Sequence, residues 1–560
     1  MTQQICKKSG QPFLITKEDE DFYQKMKVPL PTLCPEERQR RRLAWRNERT
    51  LYKRKCSGSG KTIIGMYPEN TPFPVFDHNY FFSDKWNALD YGREFDFNRP
   101  FFDQFHELMQ VVPRMRNHSV GNDNAEYGNL SSWSKDCYML FESDNNRDCY
   151  YLENSFRCVN TCDCGYAKEC ELCYQCLDIK DSYNLRYCLI CKNFSDSWFL
   201  KNCIGCKQCF GCVNLRNNEF YFLNERLTKE QYMEKINSIK LESFESIQNL
   251  WKQFLEFAKK FPQKYINGFQ NENCTGDYLN NCKDVHFCFD SSDLRDCKYV
   301  FHCERINNGY DVDTYGGEEG CQFVYECQSV GRGAFNVAFC NDTSRNIKDI
   351  SYCETCWEGN NLFGCISLNH GEYCILNKKY TKEQYLELKK KIVEHMRAPV
   401  SAVGGRKTGE YGEFFPIKYS PFAYNETQAQ IYYPLTKEEA LQSGYKWKDH
   451  DPKEYYPQKI KIPDSIREVD DSICDEILAC EKTGKNYKIQ KAELDFYRKL
   501  KLPIPKRCPD QRYLDRLAMR NSRKLYERKC SKCQKDINTT FSPDRTEPVY
   551  CEECYVEATD

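Results

Sequence analysis

What this chain lacks narrows its role before any motif is read. No apolar stretch approaches the roughly 18 residues that a membrane-spanning helix needs, so no membrane partner is expected. There are only eight histidines among 560 residues, and no two of them sit at metal-ligand spacing. A nucleophile elbow, a Gly-rich dinucleotide fingerprint and an HExxH pair are absent, which removes the commonest sequence signs of hydrolases and oxidoreductases. Net charge is missing as well: 81 basic residues balance 82 acidic ones, so no whole-chain field points toward nucleic acid. The opening MTQQICKKSG lacks the charged-then-apolar layout of a secretory leader, and a cytoplasmic setting is expected.

Against these absences stand 36 cysteines. In an exported chain such density signals disulfides, whereas in a reducing compartment it reads as metal ligands or buried thiols. Their placement follows two duplications. Residues 6–56 align without a gap on 480–530, with 26 of 51 positions identical, so both ends carry the same module. Inside, the stretch from Phe210-Gly211-Cys212 to Tyr232 returns 153 residues later, from Phe363-Gly364-Cys365 to Tyr385. Each copy ends in Leu-Asn and then Thr-x-x-Gln, a capping box, which predicts helices over about 228–260 and 381–397.

A finer repeat runs through the cysteine-rich part. Cys158, Cys173, Cys188 and Cys203 share one 15-residue register, Cys176, Cys191 and Cys206 another, and small or apolar residues recur at every third place. Neither a helix nor a flat strand has that period, but stacked coils do, each too small to bury a core without its neighbours. The second stretch keeps the register more loosely, at Cys282, Cys297, Val312 and Cys327. The fold expected is multidomain and mainly β: two short cysteine-lined β-solenoids of 15-residue coils, separated and followed by helices, and flanked by duplicated α plus zinc-ribbon-like terminal modules.

The segments follow in order. They are an N-terminal module (1–118), a first solenoid (119–227), a helical connector (228–269), a second solenoid (270–380), a helix (381–400), an aromatic-rich segment (401–472) and a C-terminal module (473–560). A loop is expected near 404–412, and the aromatic run EFFPIKYSPFAYNETQAQIYYP after it is expected to lie on a solenoid face. Stacked cysteines suit a narrow interior as small apolar side chains; disulfides between coils and metal or iron–sulfur binding are the alternatives.

The strongest chemical signal is Cys530-x-x-Cys533, seventeen residues, then Cys551-x-x-Cys554. Two thiolate pairs at that separation form a closed four-sulfur set, so one structural Zn2+ is expected at the C terminus. The N-terminal copy keeps Cys56 but has Ser59, Asp77 and Tyr80 at the other places, with His78 beside them, so its metal is expected to be lost. Cys6 with Cys34, and Cys480 with Cys508, stand in CxxSG or CxxTG and CP frames as half-knuckles, and further metal sites there stay open. Gly58-Ser59-Gly60-Lys61-Thr62 imitates a P-loop, but it lacks the first glycine and the preceding buried strand.

Before each ribbon lies a basic segment, 38–55 and 512–529, read as a helix. Arg38, Arg42, Arg46 and Arg49 recur as Arg512, Arg516, Arg520 and Arg523, on one helical stripe if the helices are continuous. Such stripes could clamp phosphates of RNA or a ribonucleoprotein, with Trp45 or Tyr52 stacking on a base; they could meet an acidic protein partner; or they could pair with the chain's own acids.

The strings RNERTLYKRKC, FGCVNLRN, FFPIKYSPFAYNET and LTKEEALQSGYKW resemble a cysteine-rich repeat family of candidate-phyla-radiation bacteria, along nearly the whole chain. That resemblance implies architecture and a bacterial cytoplasmic setting, with no reaction attached. It also implies a paired CPxC where this chain reads Cys34-Pro-Glu-Glu37. The tail from Pro548 to Cys554 is similar to small bacterial zinc ribbons. Acids such as Asp181 and Asp196 recur once per expected coil, which stacks them along an outer face. The function expected is a non-catalytic zinc-binding scaffold or adaptor, touching RNA or a protein assembly. A purely protein-binding scaffold and a β-solenoid carbohydrate-active or other hydrolase are the alternatives.

Overall fold

In the computed structural model, which describes residues 2–315, 321–322, 324–331, 333–343, 345–397 and 409–559, the cysteine-rich stretches pair with themselves at a step of 12 residues. Gly165 lies opposite Leu177, Leu177 opposite Leu189, and Tyr138 opposite Tyr150, all in parallel. The same step joins Asp123 to Lys135, Phe156 to Lys168 and Cys162 to Tyr174. Four successive three-residue steps of each rung thus find a parallel partner one rung on. The amides alternate accordingly: Lys135 donates forward to the Asn146 carbonyl and Asp136 backward to that of Asp123, each at 2.9 Å. Backbone groups inside the stack are thereby satisfied between rungs.

One residue in three adopts a left-handed backbone. From Leu130 through Asn202 the series is unbroken, with φ of 46–60°. Asparagine and aspartate tolerate that region best among residues with a Cβ, and Asn145, Asp148, Asn154, Asn160 and Asp163 occupy it. The residue that follows each of them points inward.

The expected 15-residue coil is therefore corrected to a 12-residue rung. Cys158, Cys173, Cys188 and Cys203 all face the interior, but from successive steps of the rung and not as one column. Fifteen is one rung plus one step, so the two periods share every inward position. The true columns step by 12, as Cys164, Cys176 and Cys188 do, and neighbouring thiols in them touch. Asp181 and Asp196 likewise fall on adjacent columns; Asp196 accepts from Asn184, twelve residues back, at 2.6 Å. The second stack is less regular, with steps of 15 at Tyr310–Tyr325 and Asp313–Gln328 and of 13 at Phe335–Lys348.

Why the interior is cysteine-rich follows from hydrogen bonds. Each inward thiol donates to the carbonyl two residues back, Cys188 to Arg186 and Cys191 to Leu189 at 3.3 Å. Ser155 and Ser197 do the same at 2.8 Å, and Thr161 at 2.9 Å. The same atoms accept amides from the next rung, Ser155 from Ala167 at 3.2 Å and Cys203 from Leu215 at 3.4 Å. A small side chain that donates once and accepts once suits these places, and cysteine, serine and threonine all qualify, while Leu140, Ala167, Ile179 and Leu185 fill other inward places. Ser155→Ala takes the acceptor from the buried Ala167 amide and is expected to cost about 1–3 kcal/mol, against much less for Ser155→Cys; amide exchange across 153–168 reads the difference. The described cysteines are free thiols. Burial pushes those of Cys173 and Cys282 up to about 11, out of the reactive range.

The capping boxes form as the spacing predicts, Thr228 and Gln231 opening the helix Lys229–Ser238, and Thr381 and Gln384 opening Lys382–Arg397. A second helix, Phe244–Ala258, completes the connector. Residues 404–408 of the expected loop lie outside the described residues. The aromatic run after it does bury itself: Phe415 stacks on Phe105, and the Tyr352 hydroxyl of the second stack accepts the Gly412 amide at 2.8 Å.

Just before that run, Glu410 caps the helix Phe101–Met109 by accepting the Phe101 and Phe102 amides at 2.8 and 3.0 Å. Burial nonetheless holds its carboxyl up at about 7. A folded-state value above the unfolded one means the folded chain binds more protons between about pH 4.5 and 7, so stability falls as pH rises through that window. Glu410→Gln is expected to flatten this slope, as read from urea midpoints at pH 5, 6, 7 and 8.

The consecutive segments regroup into two units of non-consecutive pieces. One combines Met1–Arg116 with Ile266–Lys448 and the short stretch Asn538–Thr540, so the N-terminal module shares a unit with the second stack. The other combines Asn117–Tyr265 with Asp449–Ile537 and Phe541–Asp560, which places the C-terminal module with the first stack.

Candidate metal centre and arginine-lined modules

The four C-terminal cysteines converge. The sulfurs of Cys530, Cys533, Cys551 and Cys554 all lie within 4.8 Å of one another, and those of Cys533 and Cys551 are 3.7 Å apart. A ZnS4 tetrahedron with Zn–S of about 2.3 Å has edges of about 3.8 Å, so the donor set fits the ion. Burial opposes ionisation of Cys530, but amides of Cys533, Cys551 and Lys532 outweigh it and hold the thiol at about 6. One pair comes from a knuckle between the strands Tyr526–Lys529 and Asp536–Thr539, the other from the start of the helix Glu552–Thr559.

That frame occurs four times. In each copy the first-ligand amide donates to the carbonyl five residues on: Cys6 to Gln11, Cys56 to Lys61, Cys480 to Lys485 and Cys530 to Lys535, at 2.8–2.9 Å. The next residue donates to the carbonyl two before the third ligand position: Lys7 to Thr32, Ser57 to Val75, Glu481 to Lys506 and Ser531 to Val549, at 2.9–3.0 Å. The knuckle closes on a left-handed residue, Gly10, Gly60, Gly484 or Gln534. The third ligand position then begins a helix, at Cys34, Asp77, Cys508 or Cys551. Each terminal module is therefore two such frames in tandem, which explains the half-knuckles seen in the sequence: their missing partners are Ser9 and Glu37, and Thr483 and Gln511.

Only the last frame keeps four sulfurs. In the second, the Ser59 hydroxyl donates to Asp77 at 2.5 Å, Cys56 accepts the Ser59 and Asp77 amides at 3.3 Å, and the Tyr80 ring lies over Gly58, where any Cβ would collide with it. Hydrogen bonds replace the metal. In the first frame Glu37 pairs with Arg40 at 3.0 Å. Burial opposes ionisation of Cys6, yet the Ser9 hydroxyl and nearby amides bring it down to about 7.

Residues 523–559 match the family described as a probable treble clef zinc finger. The C-terminal module thus carries a treble-clef zinc finger, and Cys530, Cys533, Cys551 and Cys554 form its Zn2+ site. No curated protein matches the chain.

The arginine stripes require correction. The helices stop at Leu43 and Leu517, because the hairpins of the next frames begin at Tyr52 and Tyr526. Arg46, Arg49, Arg520 and Arg523 are therefore off the helix, and no continuous stripe exists. Arg38, Arg42, Arg512 and Arg516 are buried against the stacks. Arg38 donates to Asp311 at 2.9 Å and Arg42 to Asp313 at 2.5 Å, while Arg42 reaches Asp311 at 3.4 Å. Arg512 and Arg516 both meet Asp163, at 3.1 and 2.9 Å. Arg46 pairs with Glu48, and Arg520 with Asp178 at 3.2 Å over the Tyr166 ring; Arg49 and Arg523 are also engaged. Trp45, expected to stack on a base, is fully buried beside Phe414 and Phe415, and the Tyr52 hydroxyl is bonded to Glu426.

These contacts repeat between the units. Phe210 and Phe363 hold the same place in the duplicated stretches; stepping back rung by rung, Trp198 matches Ser351, Arg186 matches Ala338, Tyr174 matches Tyr325 and Cys162 matches Tyr310. Asp163 and Asp311 are then the same position, each taking the same two arginines of its module. Tyr151 and Tyr299 are equivalent too, and the guanidiniums of Arg512 and Arg38 lie over their rings at 4.5 and 5.4 Å. Sequence reasoning missed both aspartates, although their third-place spacing with other Asn and Asp residues marked the left-handed positions.

Proposed function

We propose that this protein is a non-catalytic, zinc-stabilised scaffold in which two four-sided, cysteine-lined solenoids are each clamped by a terminal treble-clef module. One observation carries the reading: Arg38, Arg42, Arg512 and Arg516, four of the arginines that could have met a phosphate, are buried in ion pairs with the stacks, which supports modules that work as internal clamps. Among the described residues no helix is long and apolar enough to cross a membrane. The free, deeply buried thiols fit a reducing bacterial cytoplasm, as the family resemblance implies, and a protein assembly is the partner such a scaffold would serve.

The test uses the full chain purified under reducing conditions. About one zinc per chain is expected, with most thiols titrating only after denaturation. Mostly oxidised cysteines in fresh native protein would overturn the compartment. A structured RNA titrated at low salt is expected not to bind saturably; binding with a log–log salt slope of about 0.7–0.9 per phosphate contact would reinstate the RNA reading.

A further inference from the structure

The two docking faces share a plan but differ in charge. The second stack presents three buried carboxylates, Asp311, Asp313 and Glu326, and its module answers with Arg38, Arg42 and Arg41. Arg41 holds both oxygens of Glu326, at 2.7 and 2.8 Å, and reaches Glu413 at 2.7 Å. Counted along the matched rungs, the first stack has Asp163, Gly165 and Gln175 at those three places, one carboxylate where the second has three. Its module differs in step. Residue 515, the counterpart of Arg41, is an aspartate, and it turns to its own module, accepting from Arg507 at 2.6 Å and Gln511 at 2.8 Å. Gln175 is left to Arg516, at 3.2 Å.

We infer that each terminal module is a recognition domain for a cysteine-lined stack, and that the pair Arg41–Glu326, mirrored by Asp515 and Gln175, selects which stack each module occupies. The surface it recognises is a rung face with a buried aspartate beside aromatic rings. The N-terminal module on the first stack would bury Arg41 opposite an amide and Arg42 opposite a glycine. The C-terminal module on the second stack would set Asp515 toward Glu326, carboxylate against carboxylate. Either exchange leaves a buried charge uncompensated, which is how a wrong partner is rejected. The inference goes beyond the scaffold reading and needs only the docking geometry.

Hydrogen exchange on the full-length, zinc-loaded chain tests it. Arg41→Asp is expected to lower protection of residues 35–43 by about 30-fold or more and leave 509–517 unchanged. Adding Glu326→Gln is expected to recover about tenfold, the remainder being withheld by Glu413. Reciprocally, Asp515→Arg should lower protection of 509–517 by about tenfold, because it adds a third guanidinium beside Arg512 and Arg516, and Gln175→Glu added to it should restore most of that. A single variant that fails to fold but folds again with its partner substitution supports the inference. It is overturned if the second substitution of either pair leaves the first loss unchanged, or if a single variant lowers both helices equally.

Discussion

Replacing Cys551 by alanine is expected to unfold the C-terminal finger outright. Structural zinc in sites of this kind contributes about 10–16 kcal/mol to folding, far more than the small core around it can supply. The Cys551 amide also donates to the Cys530 sulfur at 3.3 Å, a bond that alanine keeps, so the loss is that of the ligand sulfur itself. Two contacts with the rest of its unit go with the finger. The strand Val549–Tyr550 pairs in parallel with Gln263–Lys264, and the Tyr555 hydroxyl donates to Asn214 at 3.0 Å. Zinc content should fall from one per chain to none, and exchange over 523–559 should approach that of an unfolded chain. The contrast lies in the second frame, where hydrogen bonds already replace the ion. There Cys56→Ala removes an acceptor for two amides and is expected to cost about 1–3 kcal/mol, leaving zinc content unchanged.

Asp163→Ala should be the next most damaging change. Its carboxylate is fully buried and neutralises both Arg512 and Arg516. Removing one partner of such a cluster strands the other charges out of water, a loss of about 3–5 kcal/mol, or roughly 150- to 4000-fold in exchange protection of residues 509–517. Arg512 would keep only Glu493, at 3.6 Å. The equivalent Asp311→Ala should cost about as much: Arg42 retains Asp313, but the buried Arg38 loses the carboxylate that it meets through two nitrogens. If Asp311→Ala costs much less, Asp313 shares the load of Arg38 as well as that of Arg42.

The metal site was the most legible part of the chain, since zinc dictates ligand type and spacing locally and few other demands produce two CxxC pairs. The capping boxes were legible for a similar reason, as three residues complete the bonding. Half of each degenerate frame could be read from Cys6, Cys34, Cys480 and Cys508. Serine, threonine, glutamate and glutamine at the remaining places carry no metal signature, and only the repeated backbone hydrogen bonds show that they belong to the same frame. The basic stretches misled because arginine favours a helix and solvent on average, while here Pro35 and Pro509 open helices of nine residues that end where the next hairpin starts.

By itself the sequence determined the duplications, the zinc ligands, the helix starts and the rule that every third residue of the stacks faces inward. Whether the pairing step is 12 or 15 residues lay beyond it, because both are multiples of three and place the same cysteines inside. The step depends on which amides and carbonyls meet across rungs, a property of the whole stack. The arginine partners were equally a tertiary decision. Arg38 and Asp311 are 273 residues apart, and a guanidinium has the same composition whether it faces phosphate, water or a buried carboxylate. What separates these cases is desolvation, which exists only once the two surfaces have closed on each other.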